Sequence, residues 1–163
     1  MKILMVCLGN ICRSPIAEGV LKALVRRNGL DWEVASAGTE SYHIGEAPHR
    51  FSQKVCLSHG IDISAQRARR FVRDDFRYYD RIYALADDVR EEIRRIGGAG
   101  ADMSKVDLLL NELHDNCNAS VPDPWYGGEE GYAPVYEMIY QACEAIIRKY
   151  GAGNRRAQGG PAT

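Results

Sequence analysis

Lys2-Ile3-Leu4-Met5-Val6 is a short apolar run with β-branched members, as expected of a strand buried inside a sheet. Soon after it, Ser14-Pro15 followed by Ile16-Ala17-Glu18 marks a helix start, with a hydroxyl near the cap, proline in the first turn and a carboxylate close behind. A strand that passes so quickly into a helix leaves few folds open. The helix must lie back across the sheet, and the next strand then pairs in parallel through a right-handed crossover. Trp32-Glu33-Val34-Ala35-Ser36 supplies that strand, after a helical stretch over 16–27 that stops at Asn28-Gly29. In such sheets ligands bind beyond the carboxyl ends of the strands, where Cys7 and the loop after Ser36 both project.

The residues between strand and helix carry the chemistry. Gly9 and Asn10 are the two types that most readily take positive φ, and a loop bent that way turns successive amides inward. With a helix N-terminus behind it, the loop is a cradle for an anion, formed by Leu8, Gly9, Asn10, Ile11, Cys12 and Arg13. Cys7 at the strand end and Arg13 at the loop end give the pattern Cys-x5-Arg-Ser. Inward amides, a guanidinium and a positive helix end favour the thiolate, and the planar fork of Arg13 can hold two oxygens of a phosphate. The predicted step is attack of the Cys7 sulfur on a bound phosphoryl group, giving a cysteinyl-phosphate. A lone cysteine after a strand is ordinarily a small buried hydrophobe. Here strand, Gly9, Asn10, Ser14 and helix start together favour catalysis.

Val121-Pro122-Asp123-Pro124-Trp125-Tyr126-Gly127-Gly128 is the second informative stretch. Its prolines and glycines fix a loop, and Pro124 restricts Asp123 to extended backbone. Cleavage of a phosphate monoester needs a proton for the leaving oxygen and later a base for water, and one carboxyl can serve both steps. Asp-Pro alone reads as a turn former; beside a Cys-x5-Arg loop, Asp123 reads as the acid. Leu8, Tyr42, Trp125 and Tyr126 would wall a deep slot matched to an aromatic ring, favouring phosphotyrosine over the shorter phosphoserine. The Ser14 hydroxyl is placed to donate to the Cys7 sulfur. Under peroxide, a sulfenic acid on Cys7 is placed to condense with Cys12 into a reversible disulfide.

Val6-Cys7-Leu8-Gly9-Asn10-Ile11-Cys12-Arg13-Ser14-Pro15-Ile16-Ala17-Glu18 resembles the signature of the low-molecular-weight protein tyrosine phosphatases, and the likeness extends through most of residues 1–150. The resemblance implies a cytoplasmic-type phosphotyrosine-protein phosphatase needing no metal and no cofactor, with Cys7 as nucleophile, Arg13 as phosphate clamp and Asp123 as general acid and base. It implies that Asn10 holds the loop's strained position and bonds to Ser14 and Ser36, and that Tyr42, Trp125 and Tyr126 line the pocket. Phosphotyrosine proteins are the implied partners, with small aryl or acyl phosphates as further candidate substrates. One departure stands out. Many members carry histidine in the segment equivalent to 65–67, where this chain has Gln66. Two relatives fit less well: thioredoxin-coupled arsenate reductases need two further cysteines close together, and arginine phosphatases tend to carry threonine at the position of Ile11.

The remaining chain reads as scaffold. A helix is expected over 48–59, strands over 81–85 and 106–110, and helices over 88–96 and 134–149, the last turning Val135, Met138, Ile139, Ala142, Cys143 and Ile146 to the sheet. Four strands alternating with helices give a single-domain, doubly wound α/β fold over 1–150, and the resemblance supplies a parallel sheet in the order 2-1-3-4. Residues 151–163 are small, polar and rich in Gly and Pro, as expected of a disordered tail. The 163 residues suffice for one domain that buries roughly 70% of its unfolded surface. A net charge of −1 gives no sign of a nucleic-acid or anionic-membrane partner, so the cluster Arg67, Arg69, Arg70 reads as a solvated segment with local pairs. Five scattered cysteines fit neither a disulfide framework nor a metal site. No apolar run approaches the roughly 18 residues of a membrane span and no signal-peptide pattern follows Met1, so a cytoplasmic location is expected.

Overall fold

The computed structural model describes residues 1–152. Four strands, β1 (Lys2–Cys7), β2 (Glu33–Gly38), β3 (Arg81–Ala84) and β4 (Val106–Leu108), form one sheet in the order β2-β1-β3-β4. All pairings are parallel. β1 is central, which is why its residues 3–6 are apolar without alternation and wholly buried. The helices are α1 (Arg13–Arg27), α2 (Arg50–Leu57), α3 (Asp75–Tyr78), α4 (Asp87–Gly97) and α5 (Tyr132–Ile146).

Two apolar layers sandwich the sheet. On one face Ile3 and Met5 of β1 pack with Ile16, Val20, Leu21 and Leu24 of α1 and with Val135, Ile139, Ala142 and Ile146 of α5. On the other, Leu4 and Val6 pack with Ile82, Val89, Ile93 and Phe71. This is the single-domain, doubly wound α/β architecture, with the sheet order the sequence resemblance implies. Among the described residues no helix is long and apolar enough to cross a membrane.

Element ends depart from the sequence expectations where tertiary contacts override local signals. Ser14 lies within the first turn of α1 rather than at its cap, a position held by Cys12 without a side-chain bond. β2 starts after Trp32 and runs on through Ala37 and Gly38, because both pair with the carboxyl end of β1. α2 begins only at Arg50, where the ring of His49 caps it, and ends at Leu57. β3 stops at Ala84. β4 is cut to three residues as the chain tightens into a 3-10 turn over Leu109–Glu112. α5 starts at Tyr132, earlier than expected, and passes into a wider π-type turn over Ile147–Gly151. Buried Gly151 therefore belongs to the packed body, against Leu30, rather than to a tail; the rest of the expected tail, 153–163, lies outside the described residues. The short α3 was not legible in the sequence. Its buried Asp75 takes a two-pronged bond from Arg69, at 3.1 Å to each oxygen, one of the local pairs expected of the basic cluster.

Candidate active site

β1 delivers Cys7 to the carboxyl edge of the sheet, and the following loop folds around its sulfur. Four carbonyls of that loop are tied from outside. Cys7 O accepts from Thr39 N at 3.0 Å, Leu8 O from Glu40 N at 2.9 Å, Ile11 O from His49 N at 2.7 Å, and Cys12 O from the Ser52 hydroxyl at 3.1 Å. In a trans peptide the N–H points opposite to the C=O, so these ties aim the next amides, those of Leu8, Gly9, Cys12 and Arg13, the other way. Asn10 completes the bend at φ 59°, a left-handed conformation that only glycine takes freely.

A buried hydrogen-bond network fixes Asn10. Its Oδ1 accepts from Arg69 N at 3.0 Å, while Nδ2 donates to Ser14 Oγ at 2.8 Å and to Ser36 Oγ at 3.0 Å. The backbone donor at one end and two hydroxyls at the other decide which way the amide points. Ser14 Oγ, having accepted from Asn10, lies 3.0 Å from Cys7 Sγ. Ser36 Oγ passes its proton toward Glu18 Oε1 at 2.7 Å, and Lys22 closes the chain at 2.8 Å from Glu18 Oε2. Glu18 had no assigned role from the sequence; its place in the helix is clear, but its bond to β2 is purely tertiary. Gln66 stays out of this network, donating to Pro15 O at 3.1 Å.

Arg13 is 4% exposed, with Nη1 donating to Val121 O at 3.0 Å and Nη2 lying 3.5 Å from Asp123 Oδ2. One guanidinium thus fastens the Asp123 loop to the anion loop. Asp123 Oδ1 in turn accepts from Trp125 N at 3.0 Å, which orients the carboxylate and the 3-10 turn Pro124–Tyr126 together. Among the described residues no group of three or more His, Cys, Asp or Glu side chains converges as a metal site.

These parts enclose a cleft of about 220 Å³ lined by Cys7, Leu8, Gly9, Ile11, Cys12 and Arg13 on its floor and by Asp123, Trp125, Tyr126, Tyr42, Glu40 and His43 around its sides. Tyr42 and Tyr126 are about four-fifths exposed, so they border its mouth, while half-exposed Trp125 forms a side. Glu40 and His43 were not singled out in the sequence. Nor was Gly38, although a Cβ there would come within 2.8 Å of Leu8 O and 2.9 Å of Asn10 N. The floor of the loop rests directly on that glycine. The Cys12 sulfur lies 3.6 Å from the Tyr132 hydroxyl; burial pushes its thiol up to about 11, against a smaller lowering by Tyr132, and keeps it protonated near neutrality.

Residues 2–155 match the model of the low molecular weight phosphotyrosine protein phosphatase family. The low molecular weight phosphotyrosine protein phosphatase of Gallus gallus is 34% identical over 90% of this chain and 94% of its own. A crystal structure of a protein tyrosine phosphatase from Entamoeba histolytica superposes with a TM-score of 0.86 at 36% identity, covering 94% of this chain and 98% of that one. The drosophila arginine phosphatase superposes with a TM-score of 0.85 at 31% identity over 92% and 98% of the two chains. The family match spans the whole described fold and its anion loop, and the chain belongs to the low molecular weight phosphotyrosine protein phosphatase family.

Proposed function

We propose that the protein hydrolyses phosphotyrosine in proteins through a cysteinyl-phosphate on Cys7. The observation that carries this reading is the convergence of Cys7, Arg13 and Asp123 on one cleft, with the Arg13 guanidinium 3.5 Å from the Asp123 carboxylate. The phosphoryl group sits in the loop of residues 8–13, its oxygens held by the amides and by Arg13, which is buried and already oriented by Val121 O. The Cys7 thiolate attacks phosphorus in line with the leaving phenolate. Asp123, in its carboxylic form, gives the phenolate its proton. In the second step the Asp123 carboxylate takes a proton from water, whose oxygen attacks phosphorus and releases phosphate and the Cys7 thiolate. Ser14 stabilises that thiolate as it leaves: with Asn10 donating to its oxygen, its one hydrogen can turn either to Ala37 O at 3.5 Å or to the sulfur at 3.0 Å, and a charged sulfur is the stronger acceptor.

The aromatic side and mouth of the cleft favour an aryl phosphate, and Ile11 on its floor favours phosphotyrosine over the phosphoarginine that the drosophila relative's name points to. Small aryl and acyl phosphates fit the same floor. Cys7 and Cys12 both line the cleft, which supports reversible oxidation: a peroxide converts Cys7 to a sulfenic acid, and Cys12 condenses with it, losing water.

The test is steady-state turnover of p-nitrophenyl phosphate with EDTA present by wild type, Cys7→Ser and Asp123→Ala, followed by phosphotyrosine, phosphoserine and phosphoarginine peptides. Turnover by wild type, none by Cys7→Ser, and an Asp123→Ala defect largest for the poorest leaving group support the mechanism. Activity confined to phosphoarginine would replace the substrate assignment.

A further inference from the structure

Resting on the phosphatase reading, we propose that His49 is a positioning residue that ties the anion loop to the aromatic side of the substrate slot and thereby sets the preference for aryl phosphates. His49 lies outside the cleft lining, just ahead of α2, and touches both halves of the site. Its backbone N–H donates to Ile11 O at 2.7 Å, one of the four ties that orient the loop. Its ring meets the indole of Trp125 edge-on, centroids 5.5 Å apart at 79°.

The ring is held from the remaining sides. Nδ1 accepts from Phe51 N at 3.1 Å, which caps α2 and fixes the tautomer, with the proton on Nε2. The Tyr132 hydroxyl lies 3.3 Å from the same Nδ1 and 3.6 Å from the Cys12 sulfur, so it links the ring to the back of the anion loop. Tyr132 also stacks on the imidazole, centroids 5.5 Å apart at 17°. Burial and the neighbouring Arg50 hold the imidazole below its ordinary value, which keeps Nδ1 an acceptor. Trp125 is half exposed and sits on a loop with two glycines following, so its indole takes its angle from what lies beneath it, chiefly His49 with His43 at 5.8 Å. The same residue's N–H holds Asp123 Oδ1. His49 therefore works through Trp125, without touching the substrate.

The test compares wild type, His49→Asn and His49→Ala. Asparagine keeps the backbone bond to Ile11 and a side-chain acceptor for Phe51 N but removes the ring beneath Trp125. Dissociation constants for inorganic phosphate and phenylphosphonate are measured by calorimetry, beside KM and kcat for p-nitrophenyl phosphate and acetyl phosphate. The expected result for His49→Asn is phosphate affinity within twofold of wild type, phenylphosphonate weakened at least fivefold, and KM raised for the aryl substrate alone with kcat little changed. His49→Ala should add a lowered melting temperature. Equal weakening of phosphate and phenylphosphonate, or no change in either, would overturn the proposal. Because the two binding constants need no turnover, a wild type that hydrolyses neither substrate sinks the phosphatase reading while this comparison still decides the role of His49.

Discussion

The Ser14 hydroxyl lies 3.0 Å from the Cys7 sulfur and accepts at 2.8 Å from Asn10, an arrangement in which its own proton can face the thiolate. A hydrogen bond to a charged group contributes about 1.5–3 kcal/mol, so Ser14→Ala should lower kcat roughly ten- to hundredfold. In the proposed mechanism the loss belongs to the second step, where Cys7 is the leaving group. Stopped-flow release of p-nitrophenolate should accordingly show a burst approaching one equivalent per enzyme in Ser14→Ala. A variant with unchanged kcat would remove Ser14 from the mechanism.

Gly38 meets the anion loop backbone to backbone. With Leu8 O, Gly9 C and Asn10 N all within 2.9 Å of an added Cβ, none of them the flexible end of a side chain, Gly38→Ala must lift the loop. Overpacking of this kind costs about 1–3 kcal/mol. Urea unfolding should register that loss, and competition by inorganic phosphate should weaken at least tenfold. Normal phosphate competition in this variant would show that the loop tolerates displacement.

Asn10 combines a left-handed backbone with three side-chain bonds, and two substitutions separate them. Asn10→Gly relieves the backbone and loses the bonds; Asn10→Ala loses the bonds and keeps the strain, which for such a residue is about 1–3 kcal/mol. Alanine should be the less stable of the two in urea, while both lose most of their turnover because Ser14, Ser36 and Arg69 N lose a common partner. Equal stability would mean that φ at this position is not under strain.

Buried thiols set an upper pH limit. Burial raises Cys12 to about 11 and Cys56 to about 12, against 9.0 for an ordinary thiol. A folded value above the unfolded one stabilises fully below the unfolded value, and this contribution fades as pH climbs from 9 toward the folded values. Between pH 8 and 10 the two thiols together should withdraw about 2–3 kcal/mol of unfolding free energy. Urea titrations at pH 8, 9 and 10 check this, with the Cys12→Ala/Cys56→Ala double variant expected to show a flatter profile.

The local features were legible in the sequence and the long-range ones were not. β1, the anion loop and α1 declare themselves because strand end, thiol, turn formers and helix start are sequence neighbours. Asp123 could be singled out because two prolines and two glycines mark its loop. The sheet order came from the family resemblance rather than from periodicity. His49 and Gly38 left no such trace: one acts through a backbone bond to Ile11 and ring contacts with Trp125 and Tyr132, the other through the absence of a side chain where another loop passes. Glu18 could be placed on its helix, but its link to Ser36 exists only once β2 packs beside α1. The shifted ends of β2 and α5 have the same origin, since pairing and packing extended both past their local signals.

In the proposed mechanism phosphate passes through the Cys7 sulfur. Rapid-quench mixing of the enzyme with p-nitrophenyl phosphate labelled at phosphorus, followed by alkaline peptide mapping, would trap that intermediate. The expected result is transient label on the peptide carrying Cys7 in wild type, greater accumulation in Ser14→Ala, and none in Cys7→Ser. Turnover without any protein-bound label, or label that persists in Cys7→Ser, would contradict the mechanism.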